Sequence, residues 1–217
     1  MKPGDQLGRY EIVTRLARGG MANVWLATSH GVGGFKKRVV LKTILSGLAE
    51  NPEFVKMFIN EALLAARLNH PNIVQIFDLG QLDEVFFIAM EYVAGRTLRQ
   101  LSRQCRHNGE LVPAWLVLRV VATACEALQY AHGLSDEHGQ PLELVHRDVT
   151  PENIMVSYQG MTKILDFGVA KASTAAVQTR AGTLKGKFSY ISPEQVRGQR
   201  ATHRSDIYAL GVVLYEL

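Results

Sequence analysis

Short β-like runs alternate with Gly-rich turns in the first part of the chain. Three of these runs, rich in Val, Ile, Thr and Trp, predict strands at residues 10–15, 23–28 and 38–43. Two more apolar runs, at 73–79 and 85–90, predict a further pair of strands joined by a turn at 80–84.

A spacing of three to four residues between apolar positions marks the segments that we expect to be helical. It covers 52–68, which His70-Pro71-Asn72 should end, because the residue before a proline is pushed out of the helical region. The same spacing covers 98–106, 114–132 and 205–217, whereas 144–164 holds short strands and loops.

These elements predict an α+β fold in two lobes. Residues 1–94 form a strand-rich lobe with one helix, and 95–217 form a mostly helical lobe, with a hinge near 91–95. A cleft between two lobes is a common place for a ligand.

Composition excludes several classes of protein. The chain has 217 residues, of which 47% are hydrophobic and 20% charged, as in ordinary globular proteins. A net charge of +4 without a long basic run argues against a nucleic-acid partner. Neither a signal peptide nor an apolar stretch long enough to span a membrane is expected. Cys105 and Cys125 are too few for a disulfide framework, which favours a reducing, cytoplasmic location.

Two motifs in the second half carry the candidate chemistry. The first is His146-Arg147-Asp148-Val149-Thr150-Pro151-Glu152-Asn153, and the second is Asp166-Phe167-Gly168. Together they resemble the catalytic loop and the metal-binding triplet of protein kinases. A lone Asp in such a segment is usually a turn or capping residue, but the whole constellation favours the catalytic interpretation.

The resemblance implies ATP and Mg²⁺ as cofactors, with Mn²⁺ as an alternative. Asp148 would accept the proton of the attacking hydroxyl, and Asn153 and Asp166 would bind the metal. Lys42, on the third strand, would hold the α- and β-phosphates, and Glu61 would orient it through an ion pair.

The glycine-rich loop matches the family pattern weakly. In the stretch 16–24, the first and third family glycines are Ala17 and Ala22, and only Gly19 stands in register. We expect backbone N–H groups still to cradle phosphate, with weaker nucleotide affinity because alanine restricts φ and adds a methyl group.

The resemblance also predicts the adenine site. Met90 would guard the back pocket, and the Glu91 carbonyl and Val93 amide would bind the adenine edge. A buried methionine is more often core filler, so Met90 rests on register alone. The remaining residues expected to contact ATP are Leu16, Val24, Val40 and Met155.

Residues 182–194 resemble an activation and substrate-docking segment that ends in Ser192-Pro193-Glu194. Arg147 and Lys171 are expected to bind a phosphorylated Thr183, with Thr179 as the competing site. An interpretation of both threonines as plain loop residues stays open. Asp206 resembles the helix aspartate that anchors the catalytic-loop backbone.

Two positions depart from the family in a related way. Thr150 stands where the family has Lys, and Lys187 stands where it has Thr. We hypothesise a reciprocal exchange in which Lys187 stabilises γ-phosphate charge and Thr150 supplies the hydroxyl contact. The alternative is two independent changes that impair catalysis.

The sequence ends at Leu217, inside a helix that the resemblance places at the centre of the second lobe, so we expect that lobe to be incomplete and C-terminally truncated. Val212, Val213, Leu214 and Leu217 would then form an apolar patch that favours self-association. Glu194 would lack the downstream arginine that family members pair with it, and a buried carboxylate without a partner is costly.

The resemblance covers about residues 8–217 and implies a bacterial serine/threonine protein kinase that phosphorylates a protein substrate. The second hypothesis is an ATP-binding scaffold with little catalysis, which the altered glycine loop and Thr150 favour. A third, a small-molecule phosphotransferase, is disfavoured by the docking segment. Tyrosine specificity is disfavoured because the catalytic loop lacks the arginine pattern of tyrosine kinases.

Overall fold

A computed structural model describes residues 1–167 and 188–217. The described chain forms two compact units. The first unit comprises residues 1–67 and 75–92, and the second comprises 68–74 and 93–217. The sequence boundary between the units therefore lies two residues before the predicted one, and the short segment 68–74 belongs to the second unit.

The first unit is built on a six-stranded antiparallel sheet with the strand order β1-β2-β3-β4-β6-β5. Its strands are β1 (Gln6–Leu7), β2 (Tyr10–Arg18), β3 (Ala22–His30), β4 (Lys36–Ile44), β5 (Ile76–Leu82) and β6 (Val85–Glu91). All five predicted strands are present, and β1 is an addition too short to leave a pattern in the sequence.

The core of this unit lies on one face of the sheet, where Trp25, Leu41 and Ala89 pack with other buried residues. The indole N–H of Trp25 donates to the hydroxyl of Thr43 at 3.1 Å, which satisfies both buried polar groups. Two helices, α1 (Ser46–Ala49) and α2 (Pro52–Ala65), follow β4. Asn51 caps α2 by accepting the N–H of Glu53.

Three predicted boundaries in this region are wrong. The helix α2 ends at Ala65, not at 68, and Leu68 is fully buried in the second unit. Residues 73–74 do not begin a strand of the large sheet, because the Val74 N–H donates to the Ile164 carbonyl in the second unit. The turn predicted at 80–84 is shorter and consists of Asp83 and Glu84, and the φ of 52° at Asp83 is what a tight hairpin requires.

The second unit combines a small sheet with helices. The strands β7 (Gly95–Thr97), β8 (Ile154–Ser157) and β9 (Thr162–Ile164) form an antiparallel sheet. The helices are α3 (Leu98–His107), α4 (Ala114–His132), α5 (Pro193–Val196) and α6 (His203–Glu216). The predicted helix at 114–132 is confirmed to the residue.

The long helix α4 packs against α6 and β9, and its buried face carries Val120, Ala124 and Leu128. Gly95 allows β7 to approach β8 closely, because a Cβ there would lie 2.2 Å from the Val156 carbonyl oxygen. In the described ranges, we find no helix that combines the length and the apolar character needed to cross a bilayer.

One expectation about the end of the chain is wrong in detail, and Glu194 makes a hydrogen bond that the sequence did not indicate. Val213 is fully buried in α6 and takes no part in an exposed patch, although Leu214 is 42% exposed. Glu194 accepts a hydrogen bond from the Ser205 hydroxyl at 2.6 Å, so its carboxylate has a partner within this unit. That hydrogen bond lowers the pKa of Glu194.

Candidate active site

Two of the predicted site residues in the first unit, one on a strand and one on a helix, form an ion pair. The ammonium of Lys42, on β4, lies 2.7 Å from a carboxylate oxygen of Glu61, on α2. Only 15% and 12% of the two side chains are exposed. A charge buried to this extent is tolerated when it is paired, as expected from the sequence.

The pleat of the sheet places several predicted nucleotide contacts on the same face as Lys42. Val40 lies two residues before Lys42, and the strand register pairs Val24 with Lys42 and Met90 with Val40. Since side chains alternate between the faces of a sheet, these four residues share the face opposite to the Trp25 core. The face combines three apolar side chains with one cation, which suits an aromatic base attached to phosphates.

The turn between β2 and β3 carries the glycine-rich stretch. The Gly19 N–H donates to the Ala22 carbonyl at 2.8 Å, which closes a tight turn. Leu16, before the turn, is 48% exposed. The segment is therefore a compact hairpin turn despite the replacement of two family glycines by alanine.

The predicted hinge residues occupy the end of β6 and the start of the second unit. The Glu91 N–H donates to the Gln75 carbonyl at 2.9 Å, and Met90 and Val93 are each buried. Met155 lies on β8, opposite Lys163 of β9.

In the second unit, Asp206 binds the backbone of the catalytic loop. Its carboxylate is 1% exposed and accepts the backbone N–H groups of His146 and Arg147, both at 2.8 Å. It also lies 2.8 Å from Nε2 of His132 on α4. A buried carboxylate that accepts several hydrogen bonds holds the loop rigidly, as the sequence predicted for Asp206.

The fully buried His146 links the two motifs. Its Nε2 donates to the Leu165 carbonyl at 2.8 Å, while its Nδ1 accepts the Asp148 N–H at 3.2 Å. The two partners fix which ring nitrogen carries the donated proton. The ring also packs on Phe167 with centroids 4.6 Å apart. His146 therefore holds the backbone before Asp166 in register with the backbone of Asp148.

Asn153 completes this arrangement. Its side-chain amide nitrogen donates to both the backbone carbonyl and the carboxylate of Asp148, each at 2.8 Å. The backbone carbonyl of Asn153 accepts the Leu165 N–H. Because the amide nitrogen is used in these contacts, the amide oxygen is the atom that can bind a cation. With the Asp166 carboxylate it supplies the hard oxygen ligands that Mg²⁺ prefers.

No cluster of three or more His, Cys, Asp or Glu side chains suited to a metal occurs in the described part of the chain. Mg²⁺ commonly takes only one or two protein ligands and completes its shell with phosphates and water. Asn153 and Asp166 fit that mode of binding.

Two functional residues have a left-handed backbone. Arg147 has φ 64° and Asp166 has φ 45°. For residues other than glycine this conformation costs about 1–3 kcal/mol, and it concentrates at active sites. Burial, followed by repulsion from Arg200, lowers the pKa of Arg147. Asp83 and Glu143 share this left-handed conformation, so the strain is present in both motifs but is not confined to them.

Thr150 is 1% exposed, and its hydroxyl oxygen has no hydrogen-bond partner within 1–167 and 188–217. It lines a small cavity of ≈ 20 Å³ together with Asp148, Tyr190 and Ile191. That volume holds about one water molecule. A buried hydroxyl without a partner is costly, so this position is suited to a further polar contact.

The docking segment is described only at its end. Ser192 is fully buried and stands at the N-cap position directly before α5. Its N–H and its hydroxyl both lie within hydrogen-bond distance of the Gln195 amide oxygen. Five residues named in the sequence analysis lie outside the described residues: Gly168, Lys171, Thr179, Thr183 and Lys187.

Sequence reasoning missed two groups near the site. His132 contacts Asp206 across 74 residues of sequence, and no local pattern indicates such a pair. Arg99 contacts both Glu152 and Glu216. The sequence did indicate that Arg99 has a partner, because a cation in the first turn of a helix lies at the unfavourable end of the helix dipole. It did not indicate which carboxylates would be the partners.

Comparison with known proteins agrees with this geometry. The profile of the family described as protein kinase domain matches residues 10–217. The chain belongs to this family. The kinase domain of PknI from Mycobacterium tuberculosis superposes with a TM-score of 0.73 at 30% identity, covering 100% of this chain and 75% of that one. The kinase fold predicted from the sequence is confirmed.

Curated relatives of this kinase domain come from several bacteria. MasK of Myxococcus xanthus, named a tyrosine-protein kinase, is 49% identical over 96% of the chain. Two relatives named serine/threonine-protein kinases are each 40% identical, PrkC of Bacillus subtilis over 97% of the chain and PknB of Mycobacterium leprae over 96%. The chain spans 30–32% of the length of these three relatives.

Proposed function

We propose that this kinase domain transfers the γ-phosphoryl group of ATP to serine and threonine hydroxyls of proteins. The observation that carries the proposal is the network in which Asp206 and His146 hold Asp148 and Asn153 in one rigid loop. The intact Lys42–Glu61 pair supports catalysis over the alternative of an ATP-binding scaffold.

Each side chain has a defined task in this proposal. Asp148 orients the acceptor hydroxyl and takes its proton, while Asn153 and Asp166 bind Mg²⁺ or Mn²⁺. Lys42 binds the α- and β-phosphates, and Glu61 fixes the position of its ammonium. The metal, when bound, neutralises charge on the triphosphate.

The residues assigned to nucleotide binding in this proposal are those that the family pattern implies. Lys42, Val24, Val40 and Met90 share one sheet face, which supports contact with the adenosine and its phosphates. The further residues assigned to ATP are Leu16, Gly19, Glu91, Val93 and Met155.

The exchange of Thr150 and Lys187 is also part of the proposal. The buried hydroxyl of Thr150 supports it, since a polar contact at that cavity would satisfy an otherwise costly group. We expect Thr150→Lys and Lys187→Thr each to lower the rate and the double exchange to restore much of it. A double variant no faster than the slower single variant would refute the pairing.

Activation by phosphorylation of Thr183 or Thr179 stays a proposal. The strained, partly buried Arg147 next to Asp148 supports it, because a phosphate on the docking segment would gain a charge-assisted contact there. Thr183→Ala and Thr179→Ala, tested singly, would separate the two sites by their effect on the specific rate.

The direct test is phosphorylation by the purified protein with Mg²⁺ and labelled ATP, with the sites mapped by mass spectrometry. Phosphate on the protein or on an added protein substrate, abolished by Asp148→Asn and by Asp166→Ala, is the expected result. Mg²⁺-dependent ATP binding without any transfer would instead favour the scaffold.

Tyrosine as the acceptor is the second candidate, because the 49% identical relative is named a tyrosine-protein kinase. Three peptides that differ only in Ser, Thr or Tyr at the acceptor position distinguish the two. We expect transfer to Ser and Thr; transfer confined to Tyr would overturn that specificity.

We place this reaction in the cytoplasm, where ATP is abundant and where free thiols such as Cys105 and Cys125 stay reduced. Self-association stays a prediction that sedimentation measurements over a range of concentrations would test.

A further inference from the structure

A cluster of four polar side chains lies beside the catalytic loop and takes no part in the roles assigned above. Arg99, on α3, donates from Nε to Glu152 at 2.8 Å and from Nη2 to the Tyr190 hydroxyl oxygen at 2.6 Å. Its Nη1 donates to the carboxylate of Glu216, which also accepts the Tyr190 hydroxyl. One guanidinium thus joins α3, the catalytic loop, the docking segment and α6.

Each charged group in this cluster has a partner of opposite charge within the protein, with one guanidinium shared by two carboxylates. Burial opposes the charged form of Arg99, but hydrogen bonds to Glu216 and Glu152 outweigh it and raise the pKa of the guanidinium. Burial likewise opposes ionisation of Glu216, yet Arg99 and Tyr190 lower the pKa of its carboxyl. Arg99 therefore stays positive while it contacts both carboxylates.

The cluster adjoins the site of phosphoryl transfer. Glu152 immediately precedes Asn153, and Tyr190 lines the small cavity that Asp148 and Thr150 also line. A polypeptide that presents a hydroxyl to Asp148 must pass its neighbouring residues over this surface. Glu152, at 46% side-chain exposure, and Arg99, at 18%, are within its reach.

The position of Arg99 on its helix gives no local reason for an arginine. It occupies the first turn of α3, where a cation meets the positive end of the helix dipole, which is unfavourable. The contacts with the two carboxylates offset this cost. With the guanidinium in place, each carboxylate already has a cationic partner from within the chain.

We propose that Arg99 is a specificity-determining residue: by binding Glu152 and Glu216 from within the chain, it removes any requirement for a basic residue beside the phosphoacceptor. The inference rests on the proposed protein kinase activity. It also implies that loss of the guanidinium exposes two carboxylates that a substrate arginine can bind in its place.

The test compares peptides that differ only in having Arg, Ala or Glu at each position flanking the acceptor. For the unmodified protein we expect kcat/KM for the Arg and Ala peptides to agree within about threefold, since both carboxylates are already paired with Arg99 and a further exposed ion pair adds little. For Arg99→Gln we expect the Arg peptide to gain about tenfold or more over Ala at one or more positions, the usual range for a charge-assisted contact. The gain should fall as salt rises.

Arg103→Gln is the matched control, because Arg103 is an exposed arginine one turn further along α3. It should leave the peptide ratios unchanged. Glu152→Gln probes the opposite change: one carboxylate is lost, Arg99 keeps Glu216 as its charged partner, and the Glu peptide should gain over Ala because the Nε side of the guanidinium no longer faces a charge. Glu152 is the most exposed of the three ionised members, so this variant serves if Arg99→Gln does not fold.

An unmodified protein that already prefers the Arg peptide by tenfold would overturn the inference. So would substituted proteins whose rates on all peptides fall by one common factor, since that is the behaviour of a purely structural contact. Failure of the unmodified protein to phosphorylate any peptide would overturn the kinase proposal itself and this inference with it.

Discussion

Single residues account for most of the chemistry proposed here, and the Lys42–Glu61 pair is the clearest case. Both groups are largely shielded from solvent, so the carboxylate acts on the ammonium through a medium of low polarity, where electrostatic interactions are strong. Replacing the carboxylate by an amide keeps the shape and removes the charge.

We therefore expect Glu61→Gln to lower kcat/KM by about 10²-fold, as loss of one preorganised electrostatic contact commonly does. Steady-state kinetics with ATP as the varied substrate measures this. Glu53→Gln, an exposed change at the start of the same helix, is the control and should change the rate little. Equal rates for the two variants would contradict the role of Glu61.

Tyr190 predicts a pH dependence of stability. Burial, followed by the hydrogen bond to Glu216, raises its pKa to about 12 from 10.0. A raised pKa in the folded state means stability that is fully present below the unfolded pKa of 10.0 and is lost as pH rises through about 12. Between these two pH values, the free energy of unfolding of the unmodified protein should fall more steeply than that of the Tyr190→Phe variant. Urea titrations at several pH values measure both slopes; parallel curves would contradict the prediction.

At the scale of elements, α6 anchors the catalytic loop. Its Asp206 accepts two backbone N–H groups of that loop and contacts His132 of α4, so one helix fixes both the loop and the long helix beside it. Thr202 caps the start of α6, because its side chain accepts the Arg204 N–H. The strain at Arg147 is sustained by this anchor.

Asp206→Asn should therefore destabilise the protein by about 2–4 kcal/mol, because at least one buried hydrogen bond to a charged acceptor is lost. Activity should fall further than stability alone explains. Chemical denaturation and kinetics below the unfolding transition separate the two effects. Glu143→Gln, which removes an exposed ion pair with Arg200, should cost about 0.5 kcal/mol or less and serves as the control.

At the scale of the whole molecule, binding of nucleotide and metal should appear as added stability. A ligand that binds only the folded state at 100 times its dissociation constant adds about 2.7 kcal/mol. We expect ATP with Mg²⁺ to raise the melting temperature by several degrees and ATP with a chelator to raise it less. Asp166→Ala should abolish the difference that Mg²⁺ makes. An unchanged metal effect in that variant would exclude Asp166 as a ligand.

The sequence predicted elements best where one periodicity ran without interruption. The helix Ala114–His132 is such a case, and the strands around Lys42 are another. It failed where one apolar run served two units: residues 73–74 pair with β9, whereas Ile76 begins β5. Hydrophobicity shows that a residue is buried, and says nothing about which sheet its backbone joins.

The sequence by itself determined the family and the set of candidate catalytic residues, because phosphoryl transfer needs particular side chains at fixed spacings along short loops. Only the tertiary structure decided which groups support them. The contact of His132 with Asp206 and the contacts of Arg99 with two carboxylates join residues that are remote in sequence. The burial of the Thr150 hydroxyl, which has no hydrogen-bond partner in the described part of the chain, is likewise a result of packing. Such contacts depend on where whole helices pack, and local patterns carry no record of that.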